Sequence, residues 1–368
     1  MVPHSIDRYT SISIYSYYIH RGSCSCHIHM IVCVTGGSGF VAGHVCKQLI
    51  DSKRFKEVRA TTRTKSKKKT GFLEEMGVKI YDNCDLTLDK SFDEALKGCD
   101  YVHHCASPFT TQSVSDPEKT FVRPAVDGTL NIMRAAERAK TVKRVILTSS
   151  CAAVTWGHAS KHPDGGHSHV WSEDDWQTDN SLTFGPYRHS KSLAERAAWD
   201  FVRASGAFEL VVICPSFVLG PVLNSRADAS SIQYMISLLN GKSKTTNPIT
   251  YGTIDVRDVA KAHVAAMYVD LRTHGVLNRF GQARFIVSSE VGPLDVAKYL
   301  RKQFSSHFSI PSIKISPKTH GIRYNNQRAR RFLNIQFRDI EEQICDGARS
   351  LISFGLVRDP RQQSRSRL

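Results

Sequence analysis

Ile31-Val32-Cys33-Val34-Thr35-Gly36-Gly37-Ser38-Gly39-Phe40-Val41-Ala42 sets the frame for reading the whole chain. A short apolar, mostly β-branched run passes straight into a glycine cluster, and a helix-patterned segment follows. From Val41 to Ile50 the apolar residues fall at 41, 42, 45, 49 and 50, the spacing of a helix lying on a sheet. Strand, tight glycine turn and helix start, in that order, form a signature for nucleotide phosphates. The glycines let the backbone approach a pyrophosphate closely, and the helix offers its unpaired N–H groups and positive dipole end to the anion. The spacing here is Gly36-x-x-Gly39-x-x-Ala42, with Gly37 inside the loop.

Strand-like and helix-like segments alternate onward from Met30. Strands are expected over 57–62, 77–81, 100–105, 142–150 and 209–214, the last closed by Pro215. Helices are expected over 126–140, 193–205 and 255–269. Such alternation predicts an α/β fold: a Rossmann-type doubly wound parallel sheet with right-handed crossovers and a smaller C-terminal substrate lobe. Residues 30–216 plus a helix over 255–270 would form the dinucleotide-binding domain. Residues 217–254 and 275–357 would form the lobe, 1–29 a poorly ordered extension and 358–368 a basic tail. Ligands on such sheets bind at the carboxyl ends of the strands. The glycine turn, the Cys105–Pro108 turn, Ser149-Ser150 and the Pro215–Pro221 turn should share that edge.

The chain has 368 residues, enough for one large α/β domain with a lobe. No apolar run approaches the ~20 residues of a bilayer span. The net charge of +16 suggests an anionic partner. Much of it is local: nine Lys or Arg lie between Lys53 and Lys69 against one acid, Glu57. No zinc-finger spacing or RNA-binding aromatic motif accompanies them, so a small phosphorylated molecule is expected rather than nucleic acid. Ten scattered cysteines, several in core-type strands, fit a reducing, cytoplasmic setting better than a disulfide framework. Cys24, Cys26, His27 and His29 are too crowded for a usual zinc site. His158, His162, His167 and His169 read as a surface loop, so no metal is expected.

Tyr187-x-x-x-Lys191 follows a Gly185-Pro186 turn. Residues four apart share a helix face, so phenol and ammonium converge. A neighbouring ammonium favours the phenolate form of a tyrosine. Such a group can give a proton to a carbonyl oxygen as hydride reaches the carbon. Ser149-Ser150, at a strand end, adds a hydroxyl for the same oxygen.

The glycine turn, Thr148-Ser149-Ser150 and Tyr187-Arg188-His189-Ser190-Lys191 stand in the order and spacing of the extended short-chain dehydrogenase/reductases. Residues 31–357 resemble in particular the dihydroflavonol 4-reductase/cinnamoyl-CoA reductase-like group. Supporting segments include Arg59-Ala60-Thr61-Thr62-Arg63, Ala106-Ser107-Pro108, Gly220-Pro221 and Asp255-Val256-Arg257-Asp258-Val259-Ala260. The resemblance implies that Ser150 polarises the carbonyl, that Tyr187 is the general acid, and that Lys191 supports Tyr187 and holds the nicotinamide ribose. It also implies that Gly36, Gly39, Phe40 and Val41 surround the pyrophosphate and that Asp85 and Leu86 meet the adenine. Ala106, Ser149 and Pro215 would line the cofactor path.

The second strand separates the cofactors. An NAD site usually ends it with an acid for the ribose hydroxyls. Here it ends Thr61-Thr62-Arg63, followed by Lys65, Lys67, Lys68 and Lys69. Arg63 and Lys69 match the group's 2′-phosphate positions, so NADP is expected. The departures concern substrate: Thr155 replaces an Asn usual in dihydroflavonol enzymes, and the N-W-Y-C-Y-x-K start of cinnamoyl-CoA reductases is absent. The expectation is an oxidoreductase on CH–OH donors, reducing a hydrophobic ketone or aldehyde with NADPH, monomeric or homodimeric. Its partner would be a small-molecule carbonyl substrate, not nucleic acid or membrane. The alternatives are an NAD-dependent 3β-hydroxysteroid dehydrogenase, a nucleotide-sugar epimerase or dehydratase, and a non-catalytic cofactor-binding scaffold.

Overall fold

Val32, Cys33 and Val34 have no solvent exposure, and the strand they form is the middle of the molecule. A computed structural model describes residues 29–107, 116–155, 168–178, 182, 185–241, 249–289, 294–306, 308–312, 315 and 320–357. Its strands are β1 (Ile31–Thr35), β2 (Glu57–Thr61), β3 (Lys79–Tyr81), β4 (Tyr101–His104), β5 (Arg144–Thr148), β6 (Val170–Trp171), β7 (Glu209–Pro215), β8 (Phe217–Leu219), β9 (Thr253–Asp255), β10 (Ala283–Val287) and β11 (Arg323–Tyr324). Seven of them form one parallel sheet, ordered β10-β7-β5-β4-β1-β2-β3. The order reverses between β1 and β4, which opens a crevice at their carboxyl ends. Helices fill the crossovers, so both sheet faces are covered and the strands read as continuous apolar runs. The doubly wound α/β fold is therefore as expected.

Two hydrophobic cores lie in the chain. The larger follows the seven strands and their helices. The smaller gathers Leu219, Ile232, Leu238, Leu294, Val296, Leu300, Ile344 and Leu351 from segments beyond β7. One boundary shifts. β10, expected in the lobe, pairs with β7 from Ala283↔Val211 to Val287↔Pro215 and extends the main sheet, and Leu333 and Ile335 join that core too. Five buried residues in a row, with an arginine among them, gave no alternation from which to read a strand. Pro215 does not close β7 but is its last residue, paired with Val287 of β10 and two positions past the last β5 pair at Ile213. The helix expected from Leu193 starts at Pro186, the N1 position that proline favours, so Tyr187 stands in its first turn. Asp255 precedes its helix as the cap: its carboxylate accepts the Arg257 N–H at 2.7 Å.

The turn after β1 is fixed by three glycines doing different things. Gly36 adopts φ +68°, where a side chain is strained. Gly37 donates its N–H to the Thr61 carbonyl at 3.0 Å, and a Cβ there would lie 2.5 Å from Ala60 Cβ. Gly39 donates to Gly36 O at 2.8 Å, and its missing side chain leaves the start of helix Phe40–Asp51 open. Gly37→Ala should thus lower stability by roughly 1–3 kcal/mol, the cost of overpacking between β1 and β2. Urea unfolding of the variant beside the native chain measures it, and an unchanged midpoint would show that β2 yields freely.

Candidate active site

Most of the residues singled out from sequence meet in one cleft of about 1500 Å³ at the carboxyl edge of the sheet. Gly36, Gly39, Phe40, Val41, Arg63, Lys69, Asp85, Leu86, Ala106, Ser150, Tyr187 and Lys191 all line it. Typical small-ligand pockets hold about 300–1,000 Å³, so this cleft has room for a dinucleotide and a second molecule.

At one end the glycine turn faces the start of helix Phe40–Asp51. That helix has no acidic residue in its first turn and no side chain capping its N–H groups. The turn is therefore a cradle that a Cβ would fill and that an anion fits. Beyond it, β2 carries Thr61, Thr62 and Arg63 into the cleft, with Lys68 and Lys69 beside them. Lys65 instead pairs with Glu74 at 2.8 Å. Glu57, the acid of this strand, is at its opposite end, bonded to Arg59. Asp85 Oδ1 accepts from the Thr87 N–H at 2.8 Å and its hydroxyl at 2.7 Å, and these bonds hold its carboxyl below the usual range.

At the other end Tyr187, in the first turn of helix Pro186–Ser205, is partly buried, as is Ser150 at the end of β5. Lys191 is one turn further along the helix, largely buried, with its Nζ 6.0 Å from the Tyr187 ring centre. That ammonium points to the Thr148 carbonyl at 3.4 Å. Beside it, burial and then the Lys191 charge push His104 down to about 3, so His104 is a neutral ring that bonds Thr35 Oγ1 through Nδ1 at 2.9 Å. Burial raises the Cys105 thiol to about 12. Lys191 thus stands at the Tyr187 end of the cleft beside the neutral His104 ring, and Arg188 lines the same end.

Two expected residues lie elsewhere. Ser149 is turned away from the main cleft: its hydroxyl donates to Glu195 Oε2 at 2.6 Å, deep in the protein. Adjacent residues of an extended chain point in opposite directions, so only one serine of the pair faces the cleft. Ser150 is that one, and its Oγ accepts the Ala152 N–H at 3.1 Å. Pro215 is buried in β7, and Ser216 and Phe217 line the cleft in its place. Pro108, His158, His162, His167, residues 1–28 and 358–368 lie outside the described residues. His169 bonds Asp175, its Nε2 3.2 Å from Oδ2. Among the described residues no group of three His, Cys, Asp or Glu is arranged to hold a metal. Nor is any helix among them long and apolar enough to cross a membrane.

Sequence reading missed the far wall. Arg188, Phe217, Arg226, Tyr251 and Tyr324 also line the cleft. Phe217 packs edge-on against Tyr251, ring centres 5.5 Å apart. Tyr324 arrives through a two-residue ladder, paired with Trp171. Arg226, Tyr251 and Tyr324 stand in no motif, whereas Arg188 lies inside Tyr187-x-x-x-Lys191 and Phe217 inside the Pro215–Pro221 turn expected at this edge.

Comparison with known proteins places this geometry. Residues 32–276 match the model of the NAD dependent epimerase/dehydratase family. Cinnamoyl-CoA reductase 1 of Petunia hybrida is 33% identical over 342 residues, covering 90% of this chain and 95% of that one. Tetraketide alpha-pyrone reductase 2 of Arabidopsis thaliana is 34% identical over 241 residues, 64% of this chain and 73% of that relative. Among solved structures, the yeast methylglyoxal/isovaleraldehyde reductase Gre2 complexed with NADPH superposes with a TM-score of 0.74 at 29% identity, covering 89% of this chain and 99% of that one. Gre2 of Candida albicans in complex with NADPH gives 0.74 at 26% identity with the same coverage.

Proposed function

The chain belongs to the NAD-dependent epimerase/dehydratase family, and from that premise we propose that it is an NADPH-dependent reductase of hydrophobic ketones or aldehydes. One observation carries the reading: Ser150, Tyr187 and Lys191 share a single cleft with a phosphate-type glycine turn and an acid-free, cationic end of β2. The reductases it resembles at 33% and 34% identity, and the two NADPH complexes it superposes on, support the same direction.

The glycine turn and the start of helix Phe40–Asp51 would hold the pyrophosphate, Asp85 and Leu86 the adenine, and Arg63 with Lys69 the 2′-phosphate. NADPH, when bound, supplies the hydride. The protein's part is to hold the carbonyl oxygen between the Ser150 and Tyr187 hydroxyls and to deliver the Tyr187 proton as negative charge grows on that oxygen. Lys191, its Nζ 6.0 Å from the Tyr187 ring centre, would support Tyr187 and hold the nicotinamide ribose. The aromatic wall of Phe217, Tyr251 and Tyr324 excludes water and favours an apolar substrate body.

NADPH oxidation followed with a panel of aromatic and aliphatic aldehydes and ketones tests the activity. A panel that leaves NADPH unoxidised while the nucleotide binds would point to a non-catalytic role. The cofactor assignment has its own test. Arg63→Asp should weaken NADPH binding by about 10- to 100-fold, the worth of charge-assisted bonds to a phosphate, and leave NADH binding nearly unchanged. Retained NADPH affinity in titration calorimetry would remove Arg63 from the 2′-phosphate site.

A further inference from the structure

Arg226 stands on the loop between β8 and helix Ser230–Leu239, in contact with the glycine turn and lining the same cleft. Its Nη1 donates to Ser38 Oγ at 2.7 Å. Ser38 belongs to the turn itself, between Gly37 and Gly39, and is buried. The other edge of the guanidinium is held by Asp228: Nε donates to Oδ1 at 2.7 Å and Nη2 to Oδ2 at 2.5 Å. The Arg226 N–H is in turn fixed by Asn224 Oδ1 at 2.8 Å. A surface arginine tied at one edge and aimed with the other at a neutral hydroxyl has spent side-chain entropy on a modest bond.

That arrangement makes sense around an anion. The turn contributes backbone N–H groups and a helix dipole, both formally neutral, while Arg63, Lys68 and Lys69 are gathered at β2. We infer that Arg226 is a clamp, carried on the loop after β8, that grips the pyrophosphate of a dinucleotide beside the glycine turn, an inference that rests on the cofactor reading above. Asp228 sets the fork's direction, and the Nη1 edge turns from Ser38 to a phosphate oxygen, a stronger acceptor. Because Asp228 offsets part of the charge, the gain in affinity is moderate. The pyrophosphate is common to NADH and NADPH, so Arg226 governs how tightly a nucleotide is held and has no part in choosing between the two.

The test uses the full chain and direct binding by titration calorimetry. Arg226→Gln should weaken NADPH and NADH by the same factor, about tenfold, the worth of one charge-assisted bond. Adenosine 2′-phosphate, which keeps the 2′-phosphate and lacks the pyrophosphate, should bind the variant as it binds the native chain. Arg63→Asp should give the opposite pattern, losing NADPH and adenosine 2′-phosphate and sparing NADH. Unchanged nucleotide affinity in Arg226→Gln, a loss confined to NADPH, or an equal loss of adenosine 2′-phosphate would each overturn the clamp. Should Arg226→Gln melt well below the native chain, Arg226→Lys keeps the charge without the fork, and the same three ligands decide the matter. A native chain that binds neither nicotinamide nucleotide refutes the cofactor reading and the clamp together. Tight native binding with an indifferent Arg226 variant refutes the clamp alone.

Discussion

Tyr187→Phe is expected to lower reductase turnover by about 10²–10⁴-fold, the usual contribution of a positioned general acid. The reason lies in how little else at that end of the cleft can give a proton. Ser150 is a poor acid at neutral pH. Lys191 is directed at the Thr148 carbonyl with its Nζ 6.0 Å from the Tyr187 ring centre, so it acts on the phenol's surroundings rather than on the substrate. His104 sits next to Lys191 but is held neutral, near a pKa of about 3, by burial and by that ammonium, and its Nδ1 is engaged with Thr35. Phenylalanine keeps the ring and removes only the hydroxyl, so NADPH should bind nearly as before. Loss of turnover with intact binding is the expected pair of results. Turnover within a few-fold of the native chain would assign the proton to another group.

The second large effect concerns a residue far from any proton transfer. Arg284, the second residue of β10, has no solvent exposure. It donates through Nε to Glu195 Oε1 at 2.5 Å, through Nη2 to Oε2 at 3.3 Å, and through Nη1 to the Glu173 and Asp175 carbonyls at 2.8 and 2.9 Å. Its guanidinium carbon lies 3.9 Å from the centre of the Trp176 ring. Glu195 lies two turns along the helix from Tyr187 and also accepts from Ser149 and from Trp199 Nε1. Arg284→Met would leave the carboxylate buried against one hydroxyl, one indole and the Cys214 thiol. Breaking a buried pair in this way costs about 3–5 kcal/mol. Chemical denaturation should show a loss of that size, and Arg284→Met combined with Glu195→Leu should recover much of it. A loss under 1 kcal/mol for Arg284→Met would mean that water or a rearranged neighbour solvates Glu195. The same contacts tie the helix bearing Tyr187 to the strand end bearing Ser150, through Ser149.

These two cases mark where sequence reading succeeds and where it stops. The glycine turn, the parallel strands and Tyr187-x-x-x-Lys191 were legible because their chemistry is local: each depends on residues within about one helical turn or one strand. From the residues alone the serines were legible only as a pair; the resemblance singled out Ser150, and the hydrogen bond from Ser149 to the buried Glu195 is the physical reason that Ser150 faces the cleft. β10 reads as part of the lobe because a strand buried on both faces shows no alternation, and Arg284, its second residue, reads as surface. Arg226, Tyr251 and Tyr324 went unnoticed for a related reason. Their role comes from long-range closure of the chain, which no spacing along the sequence encodes.

The division into two hydrophobic cores has a consequence for how such a protein can change. Val41, Ala42, Ala60 and Leu86 belong to or pack on the large core, whereas Phe217, Tyr234 and Tyr251 pack on the small one. Substitutions at well-separated sites without shared neighbours add independently. Repacking the small core can therefore resculpt the Phe217–Tyr251 side of the wall while the β2 side of the cradle keeps its support, with Phe40 the cradle residue that rests on the small core and Tyr324 the wall residue that rests on the large one. A fold built in this way offers many chemistries of recognition for a single constant hydride source, and it can move between them in small, separately tolerated steps.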